Sequence, residues 1–139
     1  MWSRKKLTEL NPIEFYQIIK LRIDTFVVEQ ERIYPELDEK DLEAVHVYHA
    51  NEQGEIDAYA RVFEEGEHLV FGRVVTAQSA RGQLIREILQ LCAEKWPGKE
   101  IEIEAQVQVA VLYEKYGFKS VGQPFIFEST PHITMIYKQ

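Results

Sequence analysis

The stretch from Gly72 to Trp96, GRVVTAQSARGQLIREILQLCAEKW, constrains the fold more than any other part of the chain. It opens as a β-branched run and becomes an amphipathic helical pattern through a four-residue turn, Ser79, Ala80, Arg81 and Gly82. Ile85, Ile88, Leu89 and Cys92, with Trp96, recur on one stripe, and Pro97 and Gly98 stop the helix. The alternating segment KEIEIEAQ follows as a strand. Two strands joined by a helical crossover are expected to lie parallel, with a right-handed connection.

The remaining segments fit around that pair. AVHVYHA (44–50), IDAYARVFEE (56–65) and HLVFGRVVT (68–76) read as strands, and the short Gly-containing links NEQGE and EGE predict antiparallel hairpins. KKLTEL reads as a short strand, followed by a helix over LNPIEFYQIIKLRIDTFVVEQ. Asn11 is placed to act as N-cap, Pro12 suits the first helical position, and Glu14 completes a capping box. Ile13, Tyr16, Ile19, Ile23, Phe26 and Val27 form a stripe expected to pack on the sheet. Residues 29–43, EQERIYPELDEKDLE, read as a loop with room for a short helix, and its ELDEKDLE portion as a solvated acidic surface. VAVLYEKYGF is a helix ended by Gly117, and SVGQPFIFE and HITMIYK are the last strands. The expected class is α+β in three layers: a mixed, mainly antiparallel central sheet with helices on both faces, as one domain over residues 1–139.

Composition excludes several function classes. The net charge of −7 disfavours nucleic acid as a partner, because affinity for phosphate backbones rests on clustered Lys and Arg. Arg73, Arg81 and Arg86 are a local exception, grouped around the opening stretch. No apolar run reaches the ~18 residues a membrane span needs, and MWSRKKLTEL does not read as a secretory signal. The lone Cys92 sits on an apolar helix face, so a buried free thiol in a reducing cytoplasm is expected. His49 and His68 lack ligand spacing, and no His, Cys and carboxylate cluster resembles a zinc site, so no metal is expected.

A helix start leaves about four backbone N–H groups without intrahelical partners and carries partial positive charge. Two readings of Ser79 to Gly82 follow. Either Ser79 or water caps an ordinary surface helix, or an anion such as a phosphate takes those donors, with Gly82 allowing close approach and Arg81 adding charge.

QSARGQLIREIL, from Gln78 to Leu89, resembles the acetyl-CoA pyrophosphate loop of the GNAT superfamily of N-acetyltransferases. GRVV looks like the strand that ends at the acetyl group, and LYEKYGF (Leu112 to Phe118) like the superfamily's last helix. FVVEQERIYPELDEKD (Phe26 to Asp41), His46, the AQ before the last helix and PHITM (Pro131 to Met135) together resemble the ElaA-like subfamily over nearly the whole chain. The resemblance implies that backbone groups of Arg73, Val74, Val75 and Thr76 bind the pantetheine arm of acetyl-CoA. It implies that N–H groups of Arg81, Gly82, Gln83, Leu84, Ile85 and Arg86 hold the pyrophosphate, and that Gln106 stands where many members contact the pantetheine with an asparagine. Tyr113 matches the tyrosine that protonates the departing thiolate, and Glu29, Asp38, His46 and His132 are placed as candidates for the acceptor site and the general base. Leu84 and Arg86 replace small residues of the loop pattern, so a Cβ at position 84 is expected to crowd a phosphate.

The reaction so implied is direct acetyl transfer to a primary amine of a small molecule or peptide, with a backbone N–H stabilising the oxyanion and no cysteine nucleophile. A noncatalytic acyl-CoA-binding or protein-interaction domain is the competing reading. An acetyltransferase toxin acting on aminoacyl-tRNA is disfavoured by the charge. Exposed strand edges near the C-terminus leave room for a homodimer.

Overall fold

The computed structural model describes residues 1–30, 35–127 and 129–139, with Gln78 described in its backbone alone. The part of the expected loop at 31–34 and the last residue of the expected strand 120–128 lie outside these. In chain order the strands are β1 (Trp2–Lys6), β2 (Val45–Ala50), β3 (Ile56–Glu65), β4 (His68–Val75), β5 (Ile101–Gln106), β6 (Lys119–Phe127) and β7 (Thr130–Tyr137). The α-helices are α1 (Pro12–Ile23), α2 (Lys40–Glu43), α3 (Arg81–Lys95) and α4 (Ala110–Glu114). They build a seven-stranded mixed sheet in the order β1-β2-β3-β4-β5-β7-β6. β4 and β5 are parallel across the α3 crossover, and every other neighbouring pair is antiparallel, as the sequence predicts.

β1 begins earlier than KKLTEL suggests. The Glu9 carboxylate accepts the Lys6 N–H at 2.8 Å, which folds Leu7–Glu9 into a 3₁₀ turn and leaves Trp2 to Lys6 to pair with β2.

Strand alternation sorts the sheet into two faces. Val45, Val47, Ala60, Val62, Leu69, Phe71, Ile101, Ile103 and Ala105 join Leu84, Ile85, Ile88, Leu91 and Cys92 of α3 in the larger core. Each fully buried aliphatic side chain there contributes roughly 1.5–3 kcal/mol. The opposite face carries Tyr48 and Tyr59 against Ile18 of α1. Helices therefore cover both faces.

α1 starts as expected: Asn11 Oδ1 accepts the Glu14 N–H at 2.8 Å, and the Glu14 carboxylate accepts the Asn11 N–H at 2.9 Å. Its buried side only partly follows the expected stripe, of which Ile19 packs against the smaller core. Ile13 and Tyr16 are more than half exposed, whereas Ile18 and Arg22 are fully buried. The reason is electrostatic: Arg22 must face the sheet to meet buried carboxylates, and it turns the helix with it. The last turn widens into a π-helical segment, Asp24–Glu29, which aims Thr25, Phe26 and Glu29 toward the end of β4.

Candidate active site

β4 and β5 share one register pair, Leu69↔Ile101, and diverge beyond it. A cleft of about 560 Å³ opens between their C-terminal halves, lined by Arg73 to Ala77, Arg81, Glu104, Gln106, Tyr113 and His132, with Phe26 and Glu29 at its α1 side.

The β4 bank is irregular. Gly72 pairs with Arg61 and Val75 with Tyr59, so three steps along β4 match two along β3. This is a β-bulge, a device that re-aims a side chain and disrupts the ladder locally. Arg73 sits in it with φ 54°, a left-handed conformation uncommon for any residue with a Cβ. Leu69 and Phe71 point into the α3-side core, and strict alternation would send Arg73 there too. The bulge instead turns its guanidinium to the α1 side, where Nε donates to Glu36 Oε2 at 3.1 Å and Nη2 to the Glu36 carbonyl at 3.2 Å.

α3 begins at the end of this bank. Gln78–Ala80 forms a 3₁₀ turn, Ala80 occupies the N-cap without a side-chain cap, and no acidic residue lies in the first turn. Arg81 Nε is buried without a hydrogen-bond partner among the described residues. An uncapped helix start beside an unsatisfied guanidinium donor suits an anion. Leu84 and Ile85 turn fully into the core, so the side chain at 84 points away from the loop surface. Gln83 and Arg86 are exposed, and the Arg86 guanidinium lies 5.6 Å from the Tyr116 ring centroid. A Cβ at position 82 would collide with the Tyr116 hydroxyl.

Tyr113, on α4, packs between Phe71 and Phe118 at centroid distances of 5.9 and 5.7 Å, and is nearly buried. Burial raises its phenol pKa above the ordinary value, only partly offset by the charge of Arg81, so the hydroxyl keeps its proton through the neutral range.

The far bank is set by register. Gln106 pairs with His132 and Glu104 with Thr134, and directly opposite residues share a face. Since Ile103 and Ala105 point to α3, these four lie on the α1 face. His132 is 8% exposed, and its Nδ1 lies 2.8 Å from the Thr130 carbonyl. A carbonyl only accepts, so Nδ1 is the donor in this contact. Gln106 Oε1 accepts from Gln108 Nε2 at 2.8 Å. The cleft thus has Arg81 and Tyr113 on the α3 side and His132, Gln106, Glu104 and Glu29 on the other.

Two expected acceptor residues are not brought to the cleft. His46 is buried beneath β2, with Nδ1 2.6 Å from the Tyr59 hydroxyl and Nε2 3.1 Å from the Asp41 carbonyl, and burial lowers its pKa. Asp38 is bound by both Arg61 Nη atoms, at 2.7 and 3.0 Å, and this pairing holds its carboxyl below the ordinary range.

The acidic loop is not simply solvated either. Glu36 and Asp41 are buried, and they flank Arg22. Glu36 Oε2 takes Arg22 Nε at 2.6 Å, and Asp41 Oδ1 takes Nη1 at 2.7 Å. Burial pushes the Asp41 carboxyl up, but the Arg22 hydrogen bonds outweigh it and leave it below its ordinary value. The sequence carried one overlooked sign of this cluster. Arg61 interrupts the apolar run AYARVF, and an arginine inside a strand needs a buried acid somewhere. Among the described residues no group of His, Cys and carboxylates could hold a metal ion, and no helix is long and apolar enough to cross a membrane.

The whole arrangement has close counterparts. An acyl-CoA N-acyltransferase from Pseudomonas aeruginosa superposes with a TM-score of 0.91 at 32% identity, covering 99% of both chains. Escherichia coli ElaA superposes with a TM-score of 0.90 at 31% identity, covering 99% of this chain and 98% of that one. A UPF0039 protein of Mycobacterium tuberculosis is 36% identical over 98% of this chain and 89% of its own length. The Acetyltransferase (GNAT) domain family matches residues 16–139, and the chain belongs to that family.

Proposed function

We propose that the protein transfers an acetyl group from acetyl-CoA directly to a primary amine of a small molecule or peptide. The observation that carries this reading is the parting of β4 and β5 beyond Leu69↔Ile101, with an uncapped helix start, the Tyr113 phenol and the His132 imidazole at one cleft. The Pseudomonas aeruginosa relative, described as an acyl-CoA N-acyltransferase, supports the donor class.

The residues fit such a donor. The orphaned Arg81 Nε and the N–H groups of Arg81 to Arg86 would hold the pyrophosphate, and the backbone from Arg73 to Thr76, with Gln106, would hold the pantetheine. When bound, acetyl-CoA supplies an activated acyl group and a thiolate leaving group. His132 Nε2 takes the proton from the incoming ammonium or from the amine as it attacks. A backbone N–H of the bulge stabilises charge on the carbonyl oxygen, an effect typically worth ~2.7–4 kcal/mol. Tyr113 gives its proton to the departing sulfur. Cys92 takes no part: it is fully buried, and burial pushes its thiol pKa up to about 12.

The test is a calorimetric titration with acetyl-CoA, 3′-dephospho-CoA and pantetheine, followed by an amine screen on the parent protein and Tyr113→Phe. Binding of the first two without pantetheine is expected. Tyr113→Phe should then lower kcat by about 10²–10⁴-fold while leaving the acetyl-CoA Kd within about twofold. Binding of none, or no turnover of any amine, would favour the noncatalytic reading, and an unchanged kcat in Tyr113→Phe would remove Tyr113 as the proton donor.

A further inference from the structure

We infer that Glu36 is a positioning residue whose carboxylate and carbonyl clamp the Arg73 bulge in the conformation that presents the β4 backbone to the acetyl group. This rests on acetyl-CoA being the donor, as proposed above.

Arg73 holds φ 54° in the middle of a bank that lines the cleft. A non-glycine residue stays in that region only where its surroundings over-determine it. Among the described residues, Glu36 accepts the hydrogen bonds of the Arg73 guanidinium, and the Asp38 carboxylate lies 3.7 Å from its Nη2. Glu36 Oε2 accepts from Arg73 Nε at 3.1 Å and from Arg22 Nε at 2.6 Å. The Glu36 carbonyl accepts from Arg73 Nη2 at 3.2 Å and from Arg22 Nη2 at 2.8 Å. Two guanidiniums therefore converge on the same two oxygens, one from the bulge and one from α1. Arg22 is itself fixed on its other side by Asp41, at 2.7 Å. Glu36 is 6% exposed, so the clamp is little screened by water.

What the clamp controls is a stretch of backbone outside the β3 register. Arg73 and Val74 have no cross-strand register partner on β3, and β5 meets β4 only at Leu69. If position 73 relaxed to an ordinary strand conformation, its side chain would swing toward the α3-side core, the bulge would migrate, and the peptide groups facing the cleft would turn. Glu36 itself is not among the residues lining the cleft, so it acts through Arg73.

The readout that separates positioning from mere fold support is the ratio of acetyl-CoA to CoA affinity, which isolates the acetyl contact. Calorimetry with both ligands would compare the parent protein, Arg73→Met, Glu36→Gln and the double variant Glu36→Gln with Arg73→Gly, with melting temperatures taken alongside. Arg73→Met leaves Glu36 paired with Arg22, which guards against loss of the fold. Arg73→Met and Glu36→Gln should each lower the preference for acetyl-CoA over CoA by roughly tenfold, with CoA affinity within about twofold of the parent. Glycine adopts the left-handed region without a Cβ penalty, so the double variant should recover most of the preference that Glu36→Gln loses. A parent-like preference in Arg73→Met, or no recovery in the double variant, would overturn the clamp. A parent protein that binds neither ligand would overturn the acetyl-CoA reading first, and the clamp with it.

Discussion

His46 and His132 are the same residue type placed by the same resemblance, yet only one reaches the cleft. His46 has both ring nitrogens engaged, by Tyr59 and the Asp41 carbonyl, while His132 has Nδ1 held by the Thr130 carbonyl and no partner for Nε2 among the described residues. Nothing in either sequence neighbourhood announces this; it follows from the Gln106↔His132 register, which depends on how two strands pair across the fold. His132→Gln should lower kcat/KM by about 10²–10⁴-fold, and its residual rate should rise with pH along the acceptor amine's own ionisation, measured as a pH–rate profile. For His46 the consequence is stability. Its folded pKa lies below the ordinary 6.5, so the unfolded chain takes up the proton first as pH falls. The stabilisation is complete above that value and is lost as pH drops toward the folded pKa. Urea midpoints should therefore fall between roughly pH 7 and 5 in the parent, and this step should flatten in His46→Gln.

Among the elements, α3 and α1 differ in how much the sequence discloses. The start of α3 was legible only to within one residue: the sequence left Ser79 open as a cap, whereas Ala80 stands at the N-cap, where a Ser or Asp would be needed, and no acid follows in the first turn. The direction of Leu84 was not, since loop pattern alone does not say which way a side chain turns, and the core claims it. α1 shows the opposite balance. Its cap was legible in Asn11, Pro12 and Glu14, but its buried face was not, because hydrophobic periodicity assigns Arg22 to solvent while the buried acids Glu36 and Asp41 draw it inward. Arg22→Ala should accordingly cost about 3–5 kcal/mol, because it removes the buried guanidinium that joins the Glu36 and Asp41 carboxylates. Ile13→Ser, on the stripe that looks like the core face, should stay within about 0.5 kcal/mol. Chemical denaturation of both variants checks the inversion.

For the whole molecule, the element order, both hairpins and the parallel pair were legible because turn residues and crossover length are written in consecutive residues. The bulge at Arg73 was hidden, since GRVV reads as uninterrupted strand and its irregularity is imposed by a partner some distance away in the chain. The assembled sheet behaves as two half-sheets, β1 to β4 and β5 to β6, joined at one point of the β4–β5 seam. The cleft they leave passes between two faces, with Arg81 and Tyr113 toward α3 and His132 and Glu29 toward α1. That geometry has a kinetic meaning. In the proposed reaction, donor and acceptor would enter from opposite sides and need not leave in turn, so both should be bound before any bond is made. Double-reciprocal plots at several fixed acetyl-CoA concentrations should intersect, whereas parallel lines would signal a covalent acetyl-enzyme for which this cleft holds no cysteine.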